Sequence, residues 1–175
     1  YVQLIPGLSA TDVDFSADGK WISYVAIPEG TLWRSRADGS DRLQLTSGEE
    51  RTALPRWSPD GKQIAFVSMK PGESWKLYIV PAAGGMPHPV VKESGSQIDA
   101  NWSANGEQLM FGDYSHDSGG INIRLLDFKT GKMTTIPGSQ GLFSPRWSPD
   151  GQHIAAISPD NTTLMLFDFE TQKWS

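Results

Sequence analysis

The 175-residue chain is predicted to be all-β, a β-propeller of four four-stranded antiparallel blades, on three observations. One phrase recurs four times: Phe15-Ser16-Ala17-Asp18-Gly19, Trp57-Ser58-Pro59-Asp60-Gly61, Trp102-Ser103-Ala104-Asn105-Gly106 and Trp147-Ser148-Pro149-Asp150-Gly151. Its serines stand at 16, 58, 103 and 148, a period that suits one four-stranded blade. No apolar period of 3.6 residues persists long enough for a helix, while 18 glycines and 12 prolines demand frequent turns.

Each repeat has the same internal order. The motif aromatic closes a short first strand, and Asp-Gly or Asn-Gly follows as a tight hairpin turn, both residue types accepting positive φ. An apolar second strand comes next, over Trp21 to Ile27, Ile64 to Met69, Leu109 to Phe111 and Ile154 to Ile157. Ile22, Ile64, Leu109 and Ile154 align at one position, with Tyr24, Phe66, Phe111 and Ala156 two residues later on the same face. Ser23, Ala65, Met110 and Ala155 lie between them, mostly small, on a second face that presses against a neighbouring blade. A polar loop leads to a third strand over Leu32 to Arg36, Lys76 to Val80, Ile121 to Phe128 and Leu164 to Phe169. A second turn follows at Asp38-Gly39, Gly84-Gly85 or Thr130-Gly131. The fourth strand, over Arg42 to Thr46, Pro87 to Lys92 and Lys132 to Pro137, is polar and proline-containing, as an outer edge tolerates.

The repeats run approximately over 11–54, 55–99, 100–144, and 145–175 plus 1–10, so that 1–175 reads as one propeller unit. Leu4-Ile5-Pro6-Gly7 matches Thr135-Ile136-Pro137-Gly138, and Lys173-Trp174-Ser175 matches Lys132-Met133-Thr134. The two half-strands could complete one rim strand, Val2 to Pro6 with Lys173 to Ser175, between two copies of a homodimer that forms an eight-bladed ring or within one closed chain; the third alternative is an arc that stays open. The chain begins at Tyr1 without Met or a signal-like segment and reads as cut from something longer.

Trp57-Ser58-Pro59-Asp60-Gly61-Lys62-Gln63-Ile64-Ala65-Phe66-Val67-Ser68 resembles the signature of the TolB-like, WD40-like (PD40) bacterial propeller repeats, and Trp147 to Ala155 repeats it. The first copy departs with Phe15 and Ala17, and the third with Ala104 and Asn105, all compatible with the same turn. The resemblance implies a propeller with a protein-interaction role. Such propellers occur as periplasmic proteins, as domains before peptidase domains, and as sensory halves of bacterial kinases and winged-helix regulators. The wording Gly141-Leu142-Phe143-Ser144-Pro145-Arg146-Trp147 looks most like the last group.

Composition narrows the chemistry. A net charge of −5 argues against a nucleic-acid or anionic-membrane surface. The absence of cysteine excludes disulfides and thiol catalysis, and no apolar run reaches the length of a membrane-spanning helix. The motif tryptophans recur at equivalent positions, which marks blade core and not a single ligand platform. Asp18, Asp60 and Asp150 supply one carboxylate per turn, too few for calcium. Ser115-His116-Asp117-Ser118-Gly119-Gly120 imitates a serine-protease set, yet a triad converges from separate segments. His88 and His153 lie far apart without zinc spacing, and Asn101-Trp102-Ser103 and Asn161-Thr162-Thr163 fit a glycosylation pattern that the bacterial resemblance makes idle. No catalytic residue, cofactor or metal is expected.

One polar set stands out. Asp14, Arg56, Asn101 and Arg146 each precede the motif aromatic, so they point opposite to it. Two readings stay open: ordinary solvated or internally paired residues, or a polar ring for an anionic or peptidic ligand. Variable loops at Pro28 to Thr31, Lys70 to Ser74, Ser115 to Gly120 and Pro159 to Thr163 are further recognition candidates. The expected role is a non-enzymatic scaffold or sensor module of a larger bacterial protein, periplasmic or cytoplasmic, that binds a protein or peptide. The alternative is an accessory propeller gating a serine peptidase whose catalytic domain is absent.

Overall fold

The computed structural model describes residues 5, 7–92, 94–115 and 120–175. Among them sixteen strands and no helix build four four-stranded antiparallel sheets, each strand pairing with the next in sequence. The first sheet holds β1 (Ser9–Phe15), β2 (Trp21–Ile27), β3 (Thr31–Arg36) and β4 (Leu43–Gln44). The second holds β5 (Arg51–Trp57), β6 (Gln63–Met69), β7 (Lys76–Pro81) and β8 (His88–Pro89). β9 (Ser96–Trp102), β10 (Gln108–Ser115), β11 (Gly120–Asp127) and β12 (Met133–Thr135) form the third. β13 (Phe143–Trp147), β14 (His153–Ile157), β15 (Leu164–Asp168) and β16 (Lys173–Trp174) form the fourth. The outer strands are two or three residues long, shorter than the sequence suggests; prolines at 87 and 89 about β8 and at 137 beyond β12 withhold ladder donors there. The chain divides into two compact units, Tyr1–Lys92 and Glu93–Ser175, with two sheets in each.

The motif is a self-contained turn. Its serine hydroxyl accepts the main-chain N–H five residues on, from Trp21, Gln63, Gln108 and His153, at 2.9–3.0 Å. The same hydroxyl donates to the side chain two residues on, Ser16 to Asp18 and Ser58 to Asp60 at 2.7 Å, Ser103 to Asn105 at 2.8 Å, and Ser148 to Asp150. That carboxylate or amide oxygen in turn accepts the N–H of Lys20, Lys62, Glu107 or Gln152 at 3.0–3.1 Å. Only the glycine is left-handed, with φ of 68°, 70°, 72° and 72° at Gly19, Gly61, Gly106 and Gly151. The expectation that Asp or Asn shares the positive φ is therefore corrected: the acid is an acceptor, and glycine alone supplies the backbone conformation.

Second strands bury both faces as their pattern requires. Ile22, Ile64, Leu109 and Ile154 are buried, as are Tyr24, Phe66, Phe111 and Ala156. On the opposite face Ser23, Ala65 and Met110 are buried, while Ala155 of the fourth sheet is half-exposed. The face that carries the motif aromatic is here the leading face, and the opposite one the trailing face. In the first unit Trp57, Ile64, Phe66 and Val80 of the second sheet pack with Leu32 and Leu45 of the first. In the second unit Ile154, Ala156 and Phe167 pack with Met110, Ile123 and Ile136 of the third sheet.

Trp57 and Trp102 are buried, and Trp147 is half-buried. The difference traces to one neighbour. Trp21 packs against the cluster that holds Trp57, and the equivalent residue in the third sheet is Gln108, which lines a cleft beside Trp147. Phe128 stacks on Trp102 at 5.5 Å and Phe169 on Trp147 at 5.0 Å. The indole N–H groups of Trp57 and Trp147 make no hydrogen bond, so these rings serve as apolar filler.

Trp57→Ala is expected to cost about 3–5 kcal/mol in urea denaturation. Trp57→Phe should cost less than half of that, since no hydrogen bond is lost. A loss below about 1 kcal/mol for the alanine variant would show that Trp57 is not core. The turns add a pH dependence. The serine hydroxyl and then a main-chain N–H hold Asp18, Asp60 and Asp150 below the ordinary carboxylate value. In the later turn Ser158 and Thr162 hold Asp160 at about 2. A lowered folded pKa contributes stability that is present above the unfolded value and lost as pH falls through the folded one. Melting temperature should therefore decline on acidification from about pH 4 toward about pH 2. In a carboxyl NMR titration, Ser148→Ala should move the Asp150 midpoint upward.

Candidate functional site

The residue before the motif aromatic divides into two kinds. Asp14 Oδ2 accepts the main-chain N–H of Trp57 at 2.8 Å, and Asn101 Oδ1 accepts that of Trp147 at 2.7 Å. Each bond crosses from one sheet to the next within its unit and ends on the next motif aromatic. Arginine has no acceptor and cannot make this bond; it stands at the same position in the second and fourth sheets, as Arg56 and Arg146. Arg56 Nη1 donates to the Pro55 carbonyl at 2.9 Å, and Arg146 Nη1 to the Pro145 carbonyl at 2.8 Å. Arg146 Nη2 also lies 2.9 Å from Asp99 Oδ1, with its side chain 43% exposed.

A bulge prepares this geometry. The pairing of first and second strands slips between Thr11 and Asp14, Ala53 and Arg56, and Phe143 and Arg146, and opposite Ile98 to Asn101 in the third sheet. At each slip a non-glycine residue is left-handed: Asp12 at 52°, Leu54 at 53°, Asp99 at 52° and Ser144 at 51°. All four stand three residues before the motif aromatic. Such a residue costs roughly 1–2 kcal/mol, and a bulge re-aims the side chains around it. Here it brings Asp12 Oδ2 to the Leu54 N–H at 3.3 Å and Asp99 to Arg146. The sequence reading missed this position. Its signal was present, since aspartate stands there in the first and third repeats and not in the others. Tyr114 has its pKa raised by burial and, second, by the charge of Asp99.

The other candidates separate. His116, Asp117, Ser118 and Gly119 of the protease-like loop lie outside the described residues, as do residues 1–4 and Pro6 of the N-terminal half-strand. Lys173–Trp174 pairs with β15. His88 is exposed on β8 and His153 half-buried on β14. Among the described residues no group of three His, Asp or Glu is placed to hold a metal, and no helix is long and apolar enough to cross a membrane. Residues 70–74 and 159–163 are exposed loops. In the third sheet Asp113 is buried and paired with Arg124 at 3.0 Å, with buried Gln97 opposite it, a polar core pair that the sequence pattern did not single out. A cleft of about 500 Å³ in the first unit lies among Leu45, Glu50, Phe66, Tyr78 and Met86. One of about 430 Å³ in the second unit lies among Ser103, Asn105, Gln108, Trp147 and Phe169. Neither contains the four polar positions.

Serine-anchored turns, two-faced apolar second strands and four meandering sheets define a β-propeller built from repeats. Residues 9–175 match the TolB beta propeller domain (PD40) family, and the chain belongs to it. It is 32% identical over 161 residues to the protein TolB homolog of Chlorobium luteolum, covering 89% of this chain and 36% of that protein. It is 29% identical over 111 residues to the uncharacterized peptidase YuxL of Bacillus subtilis, covering 59% of this chain and 17% of that protein. The solved structure of putative TolB from Agrobacterium tumefaciens superposes with a TM-score of 0.76 at 20% identity, covering 96% of this chain and 61% of that one. The chain thus spans about a third of the TolB homolog and less than a fifth of the peptidase.

Asp14→Ala leaves the Trp57 N–H without its acceptor between two sheets and is expected to cost about 1–3 kcal/mol. Asp14→Asn keeps an acceptor, as Asn101 does, and should lose less than half as much. Urea midpoints of the two variants check this. Equal losses would show that charge, and not the hydrogen bond, is what matters there.

Proposed function

We propose that this chain is a non-enzymatic binding module, the scaffold or sensor part of a larger bacterial protein, and that Arg56 and Arg146 receive an anionic, peptidic partner. One observation carries the reading. At a single repeat position, two residues are acceptors that tie sheets together, and two are arginines anchored through Nη1 to the preceding prolyl carbonyl, Arg146 also pairing through Nη2 with Asp99. Asp14 and Asn101 hold the first strands in place, and the arginines present a planar fork of donors suited to carboxylates. The anchor to the prolyl carbonyl limits the rotamer freedom that binding would otherwise remove. A rigid sheet scaffold with exposed loops at 70–74 and 159–163 supports the same reading.

A second reading, an accessory propeller of a serine peptidase, is favoured by the likeness to the peptidase YuxL. A Gly-x-Ser-x-Gly elbow downstream in the same reading frame would decide for it.

The test is calorimetric titration with Asp/Glu-rich peptides, with Lys-rich peptides of equal length as controls. Arg56→Ala and Arg146→Ala should each weaken binding of the acidic peptides about tenfold or more, a loss of roughly 1.4 kcal/mol, with melting temperature nearly unchanged for Arg56→Ala and lowered for Arg146→Ala, which takes a charge partner from the buried Asp99. Arg56→Lys should keep only part of the affinity, because the ammonium lacks the fork. Variants that lose stability with affinity unchanged would make both arginines purely structural. The isolated chain should give no turnover with peptidase, esterase or glycosidase substrates; turnover abolished by Ser118→Ala would overturn the non-enzymatic reading.

A further inference from the structure

The cleft of about 430 Å³ in the second unit lies at a slot that the first unit fills with its own side chains. In the first sheet Trp21 pairs with Arg36 and Ser23 with Arg34; in the third, Gln108 pairs with Asp127 and Met110 with Leu125. Counted from the motif serine, Gln108, Leu125 and Asp127 therefore take the places of Trp21, Arg34 and Arg36. In the first unit Trp21 packs against the cluster that holds Trp57. The guanidinium carbons of Arg34 and Arg36 lie 4.2 and 4.7 Å from the centre of its ring. Arg34 Nε reaches across to the second sheet and donates to the Ala82 carbonyl at 2.9 Å. In the second unit the third sheet supplies neither an indole nor a guanidinium at these positions. Phe169, in the place of Ala82, stacks on Trp147 at 5.0 Å, and both rings line the cleft.

The charge of the slot is reversed as well. Asp150 lines the cleft. In the first two repeats the turn carboxylate pairs with the lysine two residues on, Asp18 with Lys20 at 3.3 Å and Asp60 with Lys62 at 3.4 Å. Gln152 stands where those lysines stand, so Asp150 lacks that cation. Asp127 replaces Arg36, and Asp168 and Glu170 border the adjoining hollow beside Phe169, with His153 paired to Asp168 at 3.4 Å. We infer that this cleft receives the arginine side chain of a partner protein, with its guanidinium against the Trp147–Phe169 pair and its charge met by Asp150. The first unit supplies the precedent, since the same slot there holds guanidinium groups against an indole. A guanidinium is planar and weakly hydrated, so it stacks on aromatic faces while donating to a carboxylate. The cleft falls within the size range of ligand pockets, and the net charge of −5 favours approach of a cationic partner. The residues involved are distinct from Arg56 and Arg146, so the inference stands apart from the acidic-peptide reading.

The probe is the blocked peptide acetyl-Gly-Arg-Gly-amide, titrated into the chain and followed by two-dimensional NMR. It should shift the Trp147 indole resonance, assigned from a Trp147→Phe spectrum, and leave that of Trp57 in place. The citrulline peptide keeps the shape without the charge, and the lysine peptide keeps the charge without the plane. Each should bind at least about threefold more weakly than the arginine peptide. Asp150→Asn keeps an oxygen for the Ser148 hydroxyl and the Gln152 N–H, as Asn105 does in the third repeat. It should weaken the arginine peptide about threefold or more with melting temperature nearly unchanged. Gln108→Trp places the first sheet's residue in the slot and should abolish the titration in a chain whose circular dichroism is unaltered. An arginine peptide that leaves Trp147 unmoved at millimolar concentration, or that still binds the Gln108→Trp chain, would overturn the inference. Citrulline or lysine peptides that bind as tightly as the arginine peptide would overturn it equally.

Discussion

One recurring hydrogen bond helps to order each of the two pairs of sheets: the main-chain N–H of a motif tryptophan donates to the short polar side chain of the preceding sheet, Trp57 to Asp14 and Trp147 to Asn101. Apolar packing between sheets is strong but non-directional. Leu32 against Trp57, or Ile123 against Phe167, leaves many near-equivalent offsets. A buried N–H that must find an acceptor removes most of them, because a slip leaves it unsatisfied. The interaction needs a side chain short enough to end at the neighbouring strand and able to accept. Aspartate and asparagine meet both conditions and arginine meets neither. The left-handed bulge three residues before the aromatic belongs to the same device. It places strained residues at Asp12, Leu54, Asp99 and Ser144, and in the first and third sheets the strained residue is itself an aspartate that reaches the next sheet.

The serine of the motif works on a different scale. Its hydroxyl accepts one main-chain N–H and donates to the acid two residues on, which accepts another, so the turn between first and second strands is satisfied without any distant partner. Glycine is needed for its φ, and the acid for its oxygen. This explains why Asn105 replaces aspartate without loss of the pattern and why proline and alanine both serve at the position between. The turn holds the end of the first strand, and through it the N–H that the neighbouring sheet must receive.

These constraints shape what the scaffold is free to do. The proposed recognition falls to the arginines, of which Arg146 also pairs with Asp99 of the preceding sheet, and to the exposed loops. Membership of the TolB beta propeller domain family accounts for the architecture. The division of one repeat position between acceptors and arginines is a property of this chain's own residues. It places the proposed contacts on strands whose rigidity comes from the interaction above.

The turn and the alternation of the second strands were legible in the sequence because each depends on residues at most five apart, and the repeat because one phrase returns with its serines at 16, 58, 103 and 148. The phrase from Ser16 to Trp21 contains all the partners of its turn, and the alternation of Ile22, Ser23 and Tyr24 contains its own assignment of faces. The predicted strands accordingly match the observed ones to within a few residues, apart from the rim strands and the end of β10. The tertiary structure decided matters that depend on residues more than 35 apart. Asp14 and Arg56 occupy one repeat position and look alike as polar residues, yet only the arrival of the Trp57 N–H makes the first an acceptor between sheets. Trp57 and Trp147 share a motif, yet Trp21 packs at one cluster and Gln108 lines a cleft at the other, so their burial differs. Local hydrogen bonding and side-chain alternation are encoded within a repeat; the acceptor, the burial and the strain arise only where one repeat meets the next.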